Sequence, residues 1–213
     1  MNIKRKQLER CLNAIPPHPK PRVELEQYTT PTTTASTLLW IAEFHYGDLS
    51  GKKVIDLGCG TGRLGIGAAL LGAGYVVMVD IDELPIQLAK KAAVDLQVDS
   101  VIDFLAADVS SPPFRKGRPF DTAVQNPPFG VHRRGFDILF LRTACTLASV
   151  VYSLHKRSTE NFVRKKVTEM GSSCEVLFQE VICIPPMFFF HKKRRHCFEV
   201  SAIRVWARPR AEA

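Results

Sequence analysis

The residues Asn126, Pro127, Pro128 and Phe129 follow an apolar run at 120–124 that predicts a buried strand. Two successive prolines fix two backbone φ angles, so we expect a stiff turn where that strand ends. The turn presents a carboxamide at Asn126, a carbonyl at Pro127 and an aromatic face at Phe129. These groups suit a flat amine such as a nucleobase, because two acceptors favour the pyramidal nitrogen that can attack an electrophile. From these residues alone, an ordinary turn with Phe129 in the core fits equally well.

A second group of candidate residues lies where Asp56 precedes glycines at positions 58, 60 and 62. A β-rich run comes before it and an apolar helical pattern after it, and the next predicted strand ends at Asp80. Gly58 and Gly60 let the backbone approach a ligand closely. An acidic residue about twenty positions later suits a ribose diol. The G-x-G-x-G spacing with Asp56 in front favours the cationic tail of S-adenosylmethionine over the pyrophosphate of a dinucleotide.

A third predicted strand, at 101–106, leads to Asp108 and Val109. A carboxylate or a neighbouring amide at this place could hold the amino group of the cofactor's adenine. An aspartate that only initiates a turn explains Asp108 equally well. The two interpretations stay open at this point.

Strand-like and helix-like patterns alternate along most of the chain, which predicts an α/β domain. Residues 3–14 predict an amphipathic helix, which a proline-rich stretch at 16–21 ends. Thr30 is expected to cap the next helix, with Pro31 in its first position. We expect one domain over residues 1–213, in which 1–30 form an N-terminal helix and a lid segment.

The composition excludes several classes of protein. Hydrophobic residues make up 46% of the chain without forming a membrane-length apolar run, and no apolar segment follows the basic N-terminus. We therefore expect an intracellular protein with no membrane partner. The six scattered cysteines favour a reducing compartment, and they argue against a disulfide framework or a zinc ribbon. We predict no metal site. A net charge of +8 favours a polyanionic partner.

The motifs at 56–62, Asp80 and 126–129 resemble those of class I S-adenosylmethionine-dependent methyltransferases. The segments 24–30, 152–156 and 190–193 extend the resemblance, over nearly the whole chain, to the methyltransferase-like protein five family. That resemblance implies N6-methylation of an adenosine in small-subunit ribosomal RNA, in the nucleus or cytoplasm. It also implies a Rossmann-like sheet of seven strands in the order 3-2-1-4-5-7-6, with the seventh antiparallel.

By matching positions, the resemblance implies a cofactor site lined by Gln27, Thr30, Gly58, Thr61, Asp80, Asp108 and Val109. The sequence departs from the family at Thr29, where a proline is usual, and at Arg63, where animal members carry an apolar residue. The loop at 131–135 is also shorter than in animal members. Arg63 fits a solvated side chain.

Basic residues concentrate in the loops after the fourth, fifth and sixth predicted strands. The candidates for RNA contact are Arg133, Arg134, His155, Lys156, Lys192, Lys193, Arg194 and Arg195. A solvated hairpin and helix face would show the same charge pattern.

Two other functions remain open on the sequence. Turns of this type also serve methyltransferases that act on guanine N2 or on protein glutamine, because each target is a planar amine. A non-catalytic module that binds RNA or a partner is the other alternative. In the implied strand order, the apolar run at 101–106 lies at the edge of the sheet, where exposed strands invite pairing. The resemblance implies that a small zinc-binding methyltransferase activator protein pairs there.

Overall fold

The structure, a computed structural model, describes residues 3–114, 117–130, 133–184 and 196–207. Seven strands form a single mixed sheet in the described part of the chain. The strands are β1 (Lys53–Leu57), β2 (Tyr75–Asp80), β3 (Ile102–Ala106), β4 (Phe120–Gln125), β5 (Ala148–Lys156), β6 (Ser173–Ile184) and β7 (His196–Trp206).

The strand order is β3-β2-β1-β4-β5-β7-β6, which confirms the predicted class I methyltransferase topology. The first five strands pair in parallel, and β7 runs antiparallel to both β5 and β6. Because β1 lies between β2 and β4, the chain reverses its direction of travel across the sheet beside β1. Open α/β sheets bind their ligands at such a switch point, outside the carboxyl ends of the strands.

Helices cover both faces of this sheet. They are α1 (Arg5–Ala14), α2 (Thr32–Phe44), α3 (Arg63–Leu70), α4 (Glu83–Asp95), α5 (Phe136–Leu147) and α6 (Glu160–Glu169). The first four contribute buried side chains to one hydrophobic cluster, and most of the buried residues of α5 and α6 belong to a second cluster. Neighbouring strand residues divide between the two clusters. Val54 belongs to the first and Ile55 to the second, because successive strand side chains point to opposite faces.

The start of α2 differs from the predicted capping. Pro31 is the N-cap residue, and no side-chain hydrogen bond caps the helix. The hydroxyl of Thr30 instead accepts a hydrogen bond from the side chain of Asn126, which follows β4. The capping pattern therefore predicted where the helix begins, but it did not predict the hydrogen bond that Thr30 makes.

The cysteines correct a second prediction. Cys183, near the end of β6, and Cys197, near the start of β7, form a disulfide. Their strands are antiparallel and place these two residues directly opposite each other. The prediction against a disulfide framework did not anticipate this pair, because strand register rather than sequence spacing brings the two sulfurs together. In the described residues, no helix is long and apolar enough to span a bilayer.

Candidate active site

The loops that follow β1, β2, β3 and β4 line a shared pocket at the carboxyl edge of the sheet. Eleven of the residues predicted for cofactor binding or catalysis line it, and Arg133 of the predicted RNA-contact group joins them. The eleven are Gln27, Thr30, Asp56, Gly58, Gly60, Thr61, Asp80, Asp108, Val109, Asn126 and Pro128. The tertiary structure thus brings together residues that are spread over a hundred positions of sequence.

The glycine-rich turn after β1 has a backbone conformation that leaves room for a ligand close to the main chain. Gly58, Gly60 and Gly62 have φ angles of 69°, 53° and 98°, a region that L-residues with side chains rarely adopt. A Cβ at Gly62 would lie 2.8 Å from Cε of Met78, so this glycine allows α3 to pack against β2. A Cβ at Gly60 would meet no atom within 4 Å. The backbone at Gly60 therefore borders open space in the pocket.

Asp80 holds the glycine-rich turn against the end of β2. Its Oδ2 accepts a hydrogen bond of 2.8 Å from the Gly60 amide, and its Oδ1 accepts one of 2.9 Å from the Asp82 amide. Burial raises the pKa of this carboxyl above its ordinary value, although the two amides act in the opposite direction. An ionised carboxylate offers about four acceptor sites, so Asp80 keeps capacity for ribose hydroxyls.

Asp56 is a buried carboxyl beneath the same turn, with only 1% of its surface exposed. Its Oδ2 accepts a hydrogen bond of 2.7 Å from the Gly65 amide. Burial raises the pKa of Asp56 to about 7, and the nearby negative charge of Asp80 adds to the rise. A cation beside Asp56 would favour its ionised form, which is the behaviour expected of a partner for a cationic amino-acid tail.

Asp108 and Val109 show features of both earlier interpretations. The Oδ1 of Asp108 accepts a hydrogen bond of 2.8 Å from the Ser110 amide, so the residue does initiate a turn. Asp108 and Val109 also line the pocket, and Val109 is 3% exposed. The turn therefore presents this part of the chain to a ligand.

The N-terminal segment lies against the cofactor side of the pocket through Asp82. The Oδ2 of Asp82 accepts a hydrogen bond of 2.9 Å from Nε2 of Gln27 and lies 3.3 Å from Nε2 of His18. Arg22 adds a salt bridge of 3.2 Å to the same oxygen. These contacts lower the pKa of Asp82 despite its partial burial. Gln27 is thus held by a protein carboxylate at the wall of the pocket.

Arg63 makes a second attachment of this segment. Its Nη1 donates a hydrogen bond of 2.7 Å to the carbonyl of Thr30, and its Nη2 donates one of 3.3 Å to the carbonyl of Ile15. Burial lowers the pKa of the guanidinium, and its Nε is buried without a hydrogen-bond partner. The expectation that Arg63 is solvated is therefore wrong. The residue joins the first turn of α3 to both ends of the segment 15–30.

The turn at Asn126 closes the other side of the pocket. The Asn126 Oδ1 accepts a hydrogen bond of 2.8 Å from the Tyr28 hydroxyl. The Asn126 Nδ2 donates one of 2.9 Å to Oγ1 of Thr30. Asn126 and Pro128 line the pocket, whereas Pro127 is buried behind it. The carboxamide is therefore within the pocket and is held at both of its polar atoms.

Three aromatic rings surround this turn. The ring of Phe129 lies 5.6 Å from that of Tyr28 and 5.3 Å from that of Phe198, measured between centroids. Tyr28 and Phe198 are 6.1 Å apart in an edge-to-face arrangement. The Nζ of Lys156 lies over the Phe129 ring at 5.7 Å. Phe129 is thus partly exposed beside the pocket rather than enclosed in the hydrophobic core.

The predicted RNA residues divide into three groups. Lys156 lies beside Phe129, and Arg133 lines the pocket with its guanidinium 4.8 Å from the Phe136 ring, while Arg134 is exposed. His155 does not match its predicted role, because it is 1% exposed and hydrogen-bonds Ser153 Oγ through Nε2 at 2.8 Å. Because β5 lies inside the sheet and both of its faces are covered here, its residues 151–155 are all buried. The remaining candidates lie outside the described residues: Lys192, Lys193, Arg194 and Arg195.

Sequence reasoning missed Tyr28 and Phe198 as site residues and underrated Arg63 and Asp82. Tyr28 lies between Gln27 and Thr30, both of which were selected, so its motif carried a usable signal. Phe198 occurs on a strand whose pairing partner and register decide which face it occupies. No local pattern marks it as part of a site.

The pocket fits S-adenosylmethionine on the evidence of its own groups. Open space beside Gly60 admits a ligand close to the backbone, and the buried Asp56 suits a positive charge. Asp80 has spare acceptor capacity at the end of β2, where a ribose would lie. The carboxamide of Asn126, which the sequence predicts to accept a hydrogen bond from a substrate amine, lines the same pocket.

The comparisons with known proteins agree with this geometry. The family model described as "Methyltransferase small domain" matches residues 34–146. The rRNA N(6)-adenosine-methyltransferase METTL5 of Danio rerio is 38% identical over 204 residues, which cover 95% of this chain and 98% of that protein. The chain belongs to the methyltransferase-like protein five family. The Drosophila melanogaster member, also called an rRNA N(6)-adenosine-methyltransferase, is 36% identical over 202 residues. The match covers 93% of this chain and 94% of the Drosophila protein.

A solved structure supports the same membership in this family. A Pyrococcus horikoshii protein that is provisionally described as an RNA methyltransferase superposes with a TM-score of 0.85 at 35% identity. The match covers 97% of this chain and 99% of that one. These findings confirm the predictions that the chain is a methyltransferase and that its cofactor is S-adenosylmethionine.

Proposed function

We propose that this methyltransferase transfers a methyl group from S-adenosylmethionine to N6 of an adenosine in small-subunit ribosomal RNA. The observation that carries the proposal is the position of the Asn126 carboxamide, which faces the same pocket as Asp80 and the glycine-rich turn. The names of the Danio rerio and Drosophila relatives support ribosomal RNA and adenine N6 as the targets. The choice of the small subunit rests on the family resemblance.

The bound cofactor supplies an electrophilic methyl group on a sulfonium. The protein's residues would orient the acceptor so that its N6 lone pair attacks the methyl carbon in line with the carbon–sulfur bond that breaks, and N6 would then lose one hydrogen to water as a proton. The Asn126 Oδ1 accepts one amino hydrogen, and the Pro127 carbonyl is the predicted acceptor of the other, although Pro127 itself does not line the pocket. Two such acceptors favour the pyramidal nitrogen and stabilise the positive charge that develops on it. Phe129 stacks against the base. Orientation and electrostatics of this kind are the enzyme's main contribution.

RNA contacts follow from the charge around this turn. Lys156 and Arg133 lie next to the aromatic rings and the pocket, where a flipped adenosine would bring its phosphates. Arg134 is exposed and is a further candidate for RNA contact. The four basic residues at 192–195 lie outside the described residues, and the sequence alone supports their proposed role. Basic side chains add affinity by contacting phosphates, and such contacts do not depend on the RNA sequence. We also propose that the enzyme acts in the nucleus or the cytoplasm, which the proposed ribosomal RNA substrate and the family resemblance support.

The test combines labelled cofactor with three substrates. The purified chain is incubated with small-subunit ribosomal RNA, with large-subunit ribosomal RNA and with total protein. Label should enter the small-subunit RNA as N6-methyladenosine at a single mapped nucleotide. Label in N2-methylguanosine or in protein glutamine would replace the proposed target. Cofactor binding without any transfer would support the non-catalytic module.

We also propose that a small zinc-binding methyltransferase activator protein pairs with the free side of β3. Within the described residues β3 pairs only with β2, so one side of its backbone is open to a further strand. The side chains of β3 support this proposal less than its apolar sequence does, because they are not fully exposed. Ile102 is buried, and Phe104 and Leu105 are partly buried against the two cores. The proposal therefore rests on the open backbone edge and the family resemblance.

Co-purification and melting curves test the activator proposal. The complex should melt at a higher temperature than the isolated chain, because binding to the folded state alone stabilises it. Leu105→Asp or Phe104→Asp should weaken the complex. A melting curve that the activator leaves unchanged would contradict the proposal.

A further inference from the structure

The Asn126 carboxamide is held by two side chains from the N-terminal segment, which is remote in sequence. Tyr28 lies 98 residues before Asn126 and Thr30 lies 96 before it. The phenol donates to Oδ1 at 2.8 Å, and the threonine hydroxyl accepts from Nδ2 at 2.9 Å. Neither contact involves a strand of the sheet. A segment that also forms the cofactor wall thus contacts both polar atoms of the proposed catalytic amide.

The orientation of this amide decides whether it can assist the reaction. A carboxamide rotated by 180° would present its NH₂ group where the oxygen had been. An adenine amino group would then face donors instead of an acceptor, and its lone pair would not be directed toward the cofactor. The flipped state would also lose the assistance described above. Something in the protein must therefore hold the oxygen toward the base.

The two hydroxyl groups favour one orientation over the other. A phenol is a good donor and a weak acceptor, because its oxygen lone pair is delocalised into the ring, whereas an aliphatic hydroxyl accepts well. Tyr28 is therefore matched to the carbonyl oxygen of Asn126 and Thr30 to its NH₂ group. Burial raises the pKa of Tyr28 well above its ordinary value, so the phenol keeps its proton.

The carbonyl oxygen can serve Tyr28 and a substrate at the same time. An amide oxygen has two lone pairs, and Tyr28 occupies one of them. The second remains for an N–H of the adenine amino group. The hydrogen bond from Tyr28 also fixes the orientation of the carbonyl oxygen within the pocket.

The backbone that carries these two side chains is anchored. Arg63 donates to the Thr30 carbonyl at 2.7 Å, and Gln27 next to Tyr28 donates to Asp82 at 2.9 Å. The Tyr28 ring also packs against Phe129 and Phe198 independently of its hydroxyl. The positions of both hydroxyls are thus set by contacts other than the ones they make with Asn126.

We propose that Tyr28 and Thr30 are positioning residues that lock the Asn126 carboxamide with its oxygen directed at the substrate amine. The inference rests on the proposed function, since it assigns a task to the same amide. It adds two residues and a reason why the N-terminal segment is part of the substrate site as well as of the cofactor site.

The first test measures single-turnover methyl transfer by the full chain. Tyr28→Phe keeps the ring and removes the hydroxyl, and Thr30→Val keeps the shape and removes the acceptor. Each should lower the rate roughly fivefold to tenfold, the range that one neutral hydrogen bond supports. Affinities for S-adenosylmethionine and RNA should stay within about twofold, because a positioning contact changes the transition state rather than ground-state binding. Thr30→Ser restores the hydroxyl and should recover most of the rate that Thr30→Val loses. Tyr75→Phe, the same change as Tyr28→Phe made away from the pocket, is the control and should keep the wild-type rate.

A double variant separates positioning from a general structural effect. On the Asn126→Ala background, Tyr28→Phe should cause no further loss, because the group it positions is absent. A full additional loss would show that the hydroxyl acts elsewhere and would overturn the proposal.

A second readout does not depend on activity. The side-chain NH₂ signals of Asn126, identified by their loss in Asn126→Asp, should be protected from solvent exchange in the wild-type chain. Thr30→Val should make that exchange faster, and Thr30→Ser should not. Wild-type rates and unchanged exchange in both Tyr28→Phe and Thr30→Val would overturn the positioning role while leaving the proposed function intact. A wild-type chain that methylates no RNA would instead overturn the proposed function, and the NMR result would still decide the positioning role.

Discussion

At the scale of single residues, Asn126 is the group whose removal should affect the chemistry most. Asn126→Ala removes the acceptor that we propose for the substrate amine, and we expect transfer to fall by roughly two orders of magnitude. Cofactor affinity should be unchanged, because Asp80 and the glycine-rich turn remain. Single-turnover assays and calorimetry measure the two quantities. Asn13→Ala, a surface change of the same type, is the control, and near-wild-type turnover by Asn126→Ala would contradict the assignment.

Asp56 should make cofactor binding depend on pH. Its pKa is raised to about 7, so the carboxyl becomes protonated as the pH falls through that value and loses its attraction for a cationic tail. A group with that pKa is roughly nine-tenths protonated at pH 6 and one-quarter at pH 7.5. Affinity for S-adenosylmethionine should therefore be up to roughly eightfold weaker at pH 6 than at pH 7.5.

Calorimetry at the two pH values tests the role of Asp56. Asp56→Asn keeps an oxygen for the Gly65 amide but cannot ionise, so its affinity should be low and nearly equal at both values. An Asp56→Asn variant with the wild-type pH dependence would assign the effect to another group.

At the scale of elements, the N-terminal segment depends on α3 for its attachment. Arg63→Met keeps an apolar stem but removes the hydrogen bonds to the carbonyls of Ile15 and Thr30. Each such bond contributes about 1 kcal/mol, or more because the donor is charged. We expect faster hydrogen exchange in residues 15–30 and several-fold weaker cofactor binding.

Exchange detected by mass spectrometry shows whether that effect is local. The strands β1 and β4 should keep their wild-type protection in Arg63→Met. Arg10→Met, which changes an exposed arginine of α1, should leave residues 15–30 as they are. Unchanged exchange of that segment in Arg63→Met would show that Asp82 and Asn126 hold it without Arg63.

At the scale of the whole molecule, the excess positive charge should act through specific loops. Replacing Lys192, Lys193, Arg194 and Arg195 with alanine removes four of the 29 basic residues. If these side chains neutralise phosphates, the slope of log affinity against log salt should become shallower by roughly 0.7 for each contact with single-stranded RNA. A variant with Lys4, Arg5, Lys6 and Arg10 replaced carries the same net charge and is the control. Equal slopes in the two variants would contradict RNA contact by these four residues.

The sequence by itself determined the parts of this protein that local geometry controls. Glycines at 58, 60 and 62 mark a turn that needs positive φ, and the residues around Asp80 and Asn126 mark the ends of buried strands. These signals are local because backbone sterics and strand burial act over a few residues. Together with the family motifs, they were sufficient to predict the strand order and a group of residues that the structure brings to one pocket.

Only the tertiary structure decided which remote groups share the site. Thr30 carries a capping pattern, but its hydroxyl serves Asn126, because the segment folds over the pocket. The sequence places His155 in a basic loop, but it lies on β5, which is covered on both faces at residues 151–155, and it is buried. Cys183 and Cys197 meet through the register of two antiparallel strands, and Tyr28 reaches Asn126 across 98 residues. Contacts of this kind depend on packing between elements, and no pattern within a short stretch of sequence specifies them.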